Sequence, residues 1–463
     1  MSHSGGREPT ASLSLLDATM VGIGAMIGAG IFVLTGLAVE ISGPAAIVAF
    51  ALNGGVTTFT ALSYAELASA IPRNGGGYAY VREVFSAPVA FVMGWTRWFT
   101  YMIAGSLYAL GFASNFVEWG HLYGLELPGP TVGYALLAVA ALVTLNALST
   151  EASGKGETAI TLVKIAILGV FVAFGLTAAR TGEFDPLFSE GVLAVLPAMG
   201  LTFIAFQGYD LIATVTEEVE NPRVNIPRAI LLSVVVTVIV YLLVVFVAIG
   251  TLGAEALGGA GETAIAQAAE GFMPNDIPLL GTGASLIAFG AVFSTISALN
   301  AVVIGSSRVA FAMGREGQLP ARLGRFHHRY GTPLVAILAS AVLMLVAVVV
   351  VPIRVVGNLA SLFSLLGFVI VNVALVRLRR QQPDLQRPFE VPFYPLTPVL
   401  GIVCNLLLGL FIDPFTWALA LAWLAFGAAV YLVWSRRRET PRDEAAEVEI
   451  QPPEPLASTE EGD

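Results

Sequence analysis

Apolar runs long enough to cross a lipid bilayer recur along nearly the whole chain, and they limit its fold more than any other feature. A transmembrane helix needs about 20 mostly apolar residues, and about twelve such runs lie between clusters of Gly, Pro and charged residues. Of the 463 residues, 56% are hydrophobic and 12% are charged, too apolar a composition for a water-soluble domain. The runs lack the alternation of barrel strands. The sequence therefore predicts an all-α integral membrane protein.

Twelve transmembrane helices divide the chain into segments. The predicted spans are residues 14–39, 43–70, 87–117, 131–150, 158–179, 192–216, 228–250, 281–312, 333–352, 355–377, 395–412 and 414–434. We expect a cytoplasmic N-terminus (1–12), spans 1 to 5 (13–180), spans 6 to 10 (191–377), spans 11 and 12 (395–434) and a disordered acidic tail (435–463). Residues 1–12 carry no signal-peptide pattern, so the first span is expected to remain.

The distribution of positive charge predicts the orientation. Most of the 23 Lys and Arg residues fall in loops on one side of the membrane if the N-terminus is inside, and positive loops remain cytoplasmic. An even number of spans then places both termini in the cytoplasm of a multi-pass protein of the cell membrane. The loop at 251–276 is acidic and has no Lys or Arg, so we expect it outside, over the entrance.

Two of the spans contain residues that interrupt a helix. Span 1 has glycines at 22, 24, 28 and 30, and span 6 has Gln207, Gly208 and Asp210 near its middle. Glycine is a poor helix former, and freed backbone groups at membrane depth are costly unless they line a cavity or meet a ligand. Gly24 and Gly28 alone also fit a helix-packing seam. Interruptions at matching positions of two halves instead predict a transport site near the bilayer midplane.

The ligand expected at such a site is a zwitterion. The amides of Gly28, Ala29 and Gly30 begin the second half-helix of span 1, and helix N-termini favour a carboxylate. Carbonyls around Ile27 and those freed in span 6 are suited to an ammonium group, and an aromatic ring could shield it. The span 6 residues of this predicted substrate site are Phe206, Gln207, Gly208 and Tyr209, of which the two aromatic residues are the candidate shields.

Several sequence stretches together resemble the amino acid, polyamine and organocation transporter family. They are residues 22–32, 63–67, 72–78, 205–210, 217–222 and 308–320, and they occur in the family's order across spans 1 to 8. The resemblance implies a five-plus-five inverted-repeat (LeuT-like) fold with broken helices 1 and 6 and two further helices. It also implies alternating access to one amino acid site. We expect no soluble C-terminal domain of the kind that some relatives carry.

Lys164 lies about six residues into span 5. A lysine at the centre of a span costs about 3 kcal/mol on insertion scales, so it usually faces a cavity and marks an ion or proton path. The alternative is a side chain that extends back to the headgroups. By resemblance to proton-coupled members of the family, its ammonium would replace a sodium ion and contact the carbonyls of Gly24 and Ile27 and the hydroxyl of Ser294. Since burial disfavours the charged form, Lys164 is expected to gain and lose a proton.

These features favour a secondary transporter that imports an amino acid with a proton. Exchange of amino acids or polyamines without proton coupling is the alternative. A neutral substrate is favoured because no acidic side chain clearly lines the predicted site. We identify no catalytic triad, metal-ligand cluster, phosphate loop, cofactor site or nucleic-acid site in its expected context. The expected partners are the amino acid, protons and the lipid bilayer, and we expect no enzymatic activity.

Overall fold

The computed structural model describes residues 13–73, 75–148, 154–276 and 281–435. Within these ranges the chain forms a helical bundle. The predictions for the N-terminus and for all but the first residue of the acidic tail lie outside the described residues.

Sixteen α-helices build the described part of the chain. They are α1 Leu15–Met26, α2 Ala29–Ser42, α3 Ala46–Ala70, α4 Gly76–Val84, α5 Ala87–Leu122, α6 Thr131–Leu148, α7 Gly154–Ala178, α8 Val195–Thr202, α9 Pro222–Leu252, α10 Ala254–Ala260, α11 Ala264–Glu270, α12 Gly283–Arg315, α13 Leu334–Val350, α14 Ile353–Gln381, α15 Leu396–Leu410 and α16 Pro414–Val430. Short 3₁₀ helices continue α8 at Phe203–Phe206, Tyr209–Thr214 and Thr216–Glu218.

Where the structure describes them, the predicted apolar runs are occupied by helix, and the first and sixth runs are divided in two. Eight stretches of the described residues are long and apolar enough to cross a membrane, the first of which joins α1, α2 and α3. The apolar helices α13 and α15 are shorter. The chain is therefore an all-helical protein of the membrane-spanning type. Helices α4, α10 and α11 were not predicted.

Capping residues fix the start of α1. The Ser14 hydroxyl accepts the amide of Asp17 at 3.2 Å, and the Asp17 carboxylate accepts the amide of Ser14 at 3.0 Å. This reciprocal capping box satisfies two amides that have no partner inside the helix. The start of α1 is thereby fixed about three helical turns before the interruption at Ile27.

Helix α5 lies at the centre of the bundle and packs against α6, α12, α13 and α14. Most of its middle portion is buried, including Trp95, Arg97 and Tyr101. Helices α3 and α9 pack against each other beside the divided helices. The core therefore surrounds the two interruptions with continuous helices, which gives them a rigid frame.

Both ends of the divided helices are covered. At the end where α1 begins, the amide of Leu13 donates to the Glu218 carbonyl at 3.0 Å, and the amide of Glu220 donates to the Leu13 carbonyl at 2.9 Å. At the opposite end, α10 and α11 pack on α2, and the Glu262 carboxylate accepts the Ser114 hydroxyl of α5. The acidic loop thus covers α2 at this end of the bundle.

Candidate substrate and coupling site

The interruption of the first span consists of two residues. Helix α1 ends at Met26, Ile27 leaves the helical conformation with ψ 80°, and Gly28 has φ −128° and ψ −139°. The Gly28 amide donates to the Met26 carbonyl at 2.8 Å, so the turn itself occupies one of the three predicted carboxylate donors. Ala29 and Gly30 begin α2, where amides have no intrahelical acceptor. These two amides remain the candidate donors for a carboxylate.

The interruption of the sixth span lies where the sequence places it. Gln207 is extended, with ψ 137°, and Gly208 has φ 144°, a conformation that other residues rarely adopt. The Gly208 amide donates to Oδ1 of Asp210 at 3.1 Å. The second half of this span is 3₁₀ helix rather than α-helix, so its carbonyls follow a less regular pattern than those of a continuous span.

The two interruptions touch each other through their glycines. A Cβ atom added to Gly208 would lie 2.7 Å from the Met26 nitrogen, and one added to Gly30 would lie 2.6 Å from Cα of Ala205. Both distances are far below ordinary contact, so only glycine allows this approach. The two broken segments therefore form one continuous surface of backbone groups.

Tyr241 of α9 joins the same two segments by its hydroxyl. It lies 2.6 Å from the Met26 carbonyl and 3.0 Å from the Ala205 carbonyl, and its side chain is fully buried. This residue was not predicted from the sequence. Its signal is a row of hydroxyl residues, Ser233, Thr237 and Tyr241, at four-residue spacing in a mostly apolar helix. That row does not reveal what Tyr241 contacts.

Lys164 of α7 reaches the first interruption from the side. Its ammonium donates to the Gly24 carbonyl at 2.9 Å, and the residue is 1% exposed. Ser294 of α12 donates to the Ile27 carbonyl at 2.7 Å. The resemblance implied both residues at this place, but the hydroxyl bonds to the backbone rather than to the ammonium. Because the ammonium is buried and bonded, it does not extend to the headgroups.

Glu157 is a second residue near the site that was not predicted from the sequence. It precedes Lys164 by two helical turns and so lies on the same face of α7, and the two charges interact. A Cβ atom added to Gly24 would lie 2.7 Å from Glu157 Oε1. Between them, the Thr161 hydroxyl donates to the Met20 carbonyl at 3.1 Å. An acid, a hydroxyl and an amine thus follow one another along α1.

A small cavity lies beside the interruptions, between α1, α5 and α12. Its volume is about 20 Å³, enough for one water molecule, whereas ligand pockets usually measure about 300 Å³ or more. Gln207 and Gly208 line it together with mostly apolar side chains. The latter include Ala25, Ala104, Tyr108, Ala298, Ala301 and Val302. An amino acid can enter only if these helices move apart.

In span 6, Gln207 lines this cavity, whereas Phe206 and Tyr209 do not. The Gln207 side chain accepts the Ser364 hydroxyl at 2.8 Å, while its Nε2 has no partner among the described residues. Phe206 packs on Phe50 and Tyr241, and Tyr209 packs on aromatic rings of α3 and α14. The two predicted aromatic shields therefore pack against rings of neighbouring helices and do not line the cavity.

A buried ion pair lies at the edge of the cavity. Arg97 of α5 bonds to the Asp210 carboxylate and donates to the Tyr101 hydroxyl at 3.0 Å. Both charged side chains are almost fully buried, at 5% and 2% exposure, where an unpaired charge would be costly. The pair neutralises Asp210, so the cavity offers no free carboxylate to a cationic substrate.

Divided membrane helices that meet at glycines, beside a buried lysine, define a membrane transporter rather than an enzyme. Comparison with known proteins gives the particular family. A family model for amino acid permeases matches residues 13–439. The chain therefore belongs to the amino acid permease family, within the amino acid, polyamine and organocation transporters.

Characterised relatives have different named substrates. The chain is 30% identical to the branched-chain amino acid permease BcaP of Bacillus subtilis, over 94% of this chain and 95% of that protein. It is 28% identical to the methylthioribose transporter of Bacillus subtilis, over 92% and 94% of the two chains. It is 29% identical to the serine/threonine exchanger SteT of Bacillus subtilis, over 84% and 88%. The relatives agree on transport and differ in what they carry.

Proposed function

We propose that this protein imports a neutral amino acid together with a proton by alternating access. The observation that carries the proposal is the hydrogen bond from the buried Lys164 ammonium to the Gly24 carbonyl, three residues before the interruption of span 1. A protonated lysine stabilises this carbonyl, and a neutral lysine offers it a weaker donor. Proton binding therefore acts on the same broken helix that the substrate is proposed to occupy.

Coupling follows if both ligands favour the same conformation. Protonation of Lys164 links α7 to α1, and a substrate carboxylate on the Ala29 and Gly30 amides links the two halves of span 1. Each ligand then stabilises the arrangement that the other requires, so each raises the affinity for the other. Glu157 offers a route for the proton between Lys164 and the end of the bundle where α1 begins.

A neutral side chain fits the cavity best. Its lining is mostly apolar, Asp210 is paired with Arg97, and the unpartnered Nε2 of Gln207 is a donor that suits an acceptor on the ligand. The substrate ammonium would lie against carbonyls around Ile27 and of residues 206–209. Because one relative is a branched-chain amino acid permease, leucine, isoleucine and valine are the first candidates, followed by alanine and serine.

We further propose twelve membrane spans with both termini in the cytoplasm. Residues 13–180 and 191–377 would form two inverted repeats of five spans each, and residues 395–434 two additional spans. In this arrangement the divided helices are the first member of each repeat. Alternating access then consists of movement of these helices relative to the α5 and α12 frame.

The first experiment identifies the ligand. A thermal-shift screen of the purified protein over the twenty amino acids and methylthioribose should show the largest rise in melting temperature with a neutral amino acid, because a ligand that binds the folded state stabilises it. A shift with lysine or arginine but with no neutral amino acid would contradict the substrate class.

The second experiment separates import from exchange. Proteoliposomes with an acidic exterior should accumulate the identified amino acid above its external concentration, and dissipation of the pH gradient should abolish the accumulation. Uptake that ignores the gradient and requires an amino acid inside the vesicle would instead identify an exchanger.

A further inference from the structure

We propose that an anionic phospholipid headgroup binds in a basic pocket at the end of α14. None of the residues that line this pocket lines the cavity of the substrate site. The pocket has a volume of about 570 Å³, within the range of ligand sites. It lies at the end of the bundle that we predict to be cytoplasmic. Its lining consists of Arg379, Arg380, Pro383, Arg387, Glu390, Tyr394 and Pro395.

Glu66 of α3 fixes residues of this pocket and its loop by hydrogen bonds. Its carboxylate accepts Nε and Nη2 of Arg379 at 2.6 and 2.7 Å and the Val391 amide at 2.6 Å. Arg387 donates to the carbonyls of Pro383 and Leu385 at 3.1 and 2.9 Å. Two of the arginines are therefore fixed by a fully buried carboxylate and by the loop backbone. A surface charge that served only to orient the protein in the membrane would need no such support.

The remaining groups suit a singly charged phosphate diester. Arg380 is exposed and has no hydrogen bond or ion pair among the described residues. Arg379 uses two of its nitrogens on Glu66, which leaves Nη1 for another acceptor, and its guanidinium stacks 4.2 Å from the Tyr394 ring. Three arginines against the carboxylates of Glu66 and Glu390 leave one net positive charge. Arginine is well suited to bind phosphate oxygens because of its planar set of donors.

An apolar surface next to the pocket favours a lipid over a soluble phosphate. Phe393 is 82% exposed, and Leu396, Val399 and Val403 continue from it along one exposed face of α15. Their spacing of three and four residues places them in a row on the helix. A headgroup on Arg380 could therefore extend its acyl chains over this row. Basic pockets between membrane helices on the cytoplasmic side bind lipid headgroups in this way.

The test compares two arginine variants in full-length protein. In detergent, added phosphatidylglycerol should raise the melting temperature of the wild type. Arg380→Gln should lose most of the rise, whereas Arg322→Gln should keep it, because Arg322 is also exposed but lies outside the pocket. Neither side chain has a partner to lose among the described residues, so both variants should fold.

Three results would overturn the proposal. Equal loss of the shift in the two variants would show attraction to surface charge in general. An equal rise with glycerol phosphate would show a soluble phosphate ligand, and an equal rise with phosphatidylcholine would show that the pocket does not select an anion.

Discussion

The contact between Gly30 and Ala205 allows a quantitative test of the paired interruptions. In a Gly30→Ala variant the new methyl carbon would lie 2.6 Å from Ala205 Cα, whereas ordinary contacts begin at 3.4 Å. The methyl carbon would approach Ala205 Cβ more closely still, so the two segments must separate by more than about 0.8 Å, the difference between the two distances given. Overpacking of this kind costs about 1–3 kcal/mol. If the substrate needs both segments in contact, its affinity should fall about 5- to 150-fold.

The assay is equilibrium binding of the labelled amino acid to purified protein. Gly169→Ala is the matched control, because Gly169 lies inside α7 and an added Cβ would meet nothing within 4 Å. The control makes the same change in helix propensity without the overlap, so its affinity should match the wild type. If Gly30→Ala binds as tightly as Gly169→Ala, the substrate does not depend on contact between the interruptions, and the reasoning fails.

Two further side chains give predictions that separate binding from coupling. Tyr241→Phe removes the hydroxyl that contacts the Met26 and Ala205 carbonyls. Hydrogen bonds in membrane proteins contribute about 0.6–1.7 kcal/mol, so substrate affinity measured by the same assay should fall about 3- to 18-fold. An unchanged affinity would show that Tyr241 does not support the site. Glu157→Gln should leave affinity and counterflow exchange unchanged. It should slow gradient-driven uptake by about a hundredfold or more, because it removes a proton-transfer group. Equal slowing of counterflow would show a structural role instead.

The positions of the interruptions could be predicted from sequence because glycine and polar residues stand out in apolar helices. Gly28 and Gly208 lie at the two breaks of the structure. The partner of Lys164 came from the resemblance, and the Gly24 contact is present. In each case the signal was a residue type that a membrane helix normally excludes, and such residues are informative even without an alignment.

Directions of groups within the interruptions could not be predicted. Irregular segments have no periodicity, so the sequence does not indicate that Phe206 and Tyr209 pack away from the cavity or that the Gly28 amide closes its own turn. Tyr241 shares one face of a mostly apolar helix with Ser233 and Thr237, but its position along the helix does not identify its neighbours. Glu157 lies near the start of α7, where a carboxylate also serves as an ordinary helix-terminal residue.

The most direct test of proton coupling through Lys164 measures proton movement during transport. Proteoliposomes that contain a pH-sensitive dye are given the amino acid outside, with no initial pH gradient and with the membrane potential clamped near zero. The wild type should acidify the lumen as substrate enters. Lys164→Met should still bind substrate but cause no acidification, and the matched variant of the other lysine, Lys155→Met, should acidify like the wild type. Acidification by Lys164→Met, or none by the wild type, would contradict coupling through Lys164.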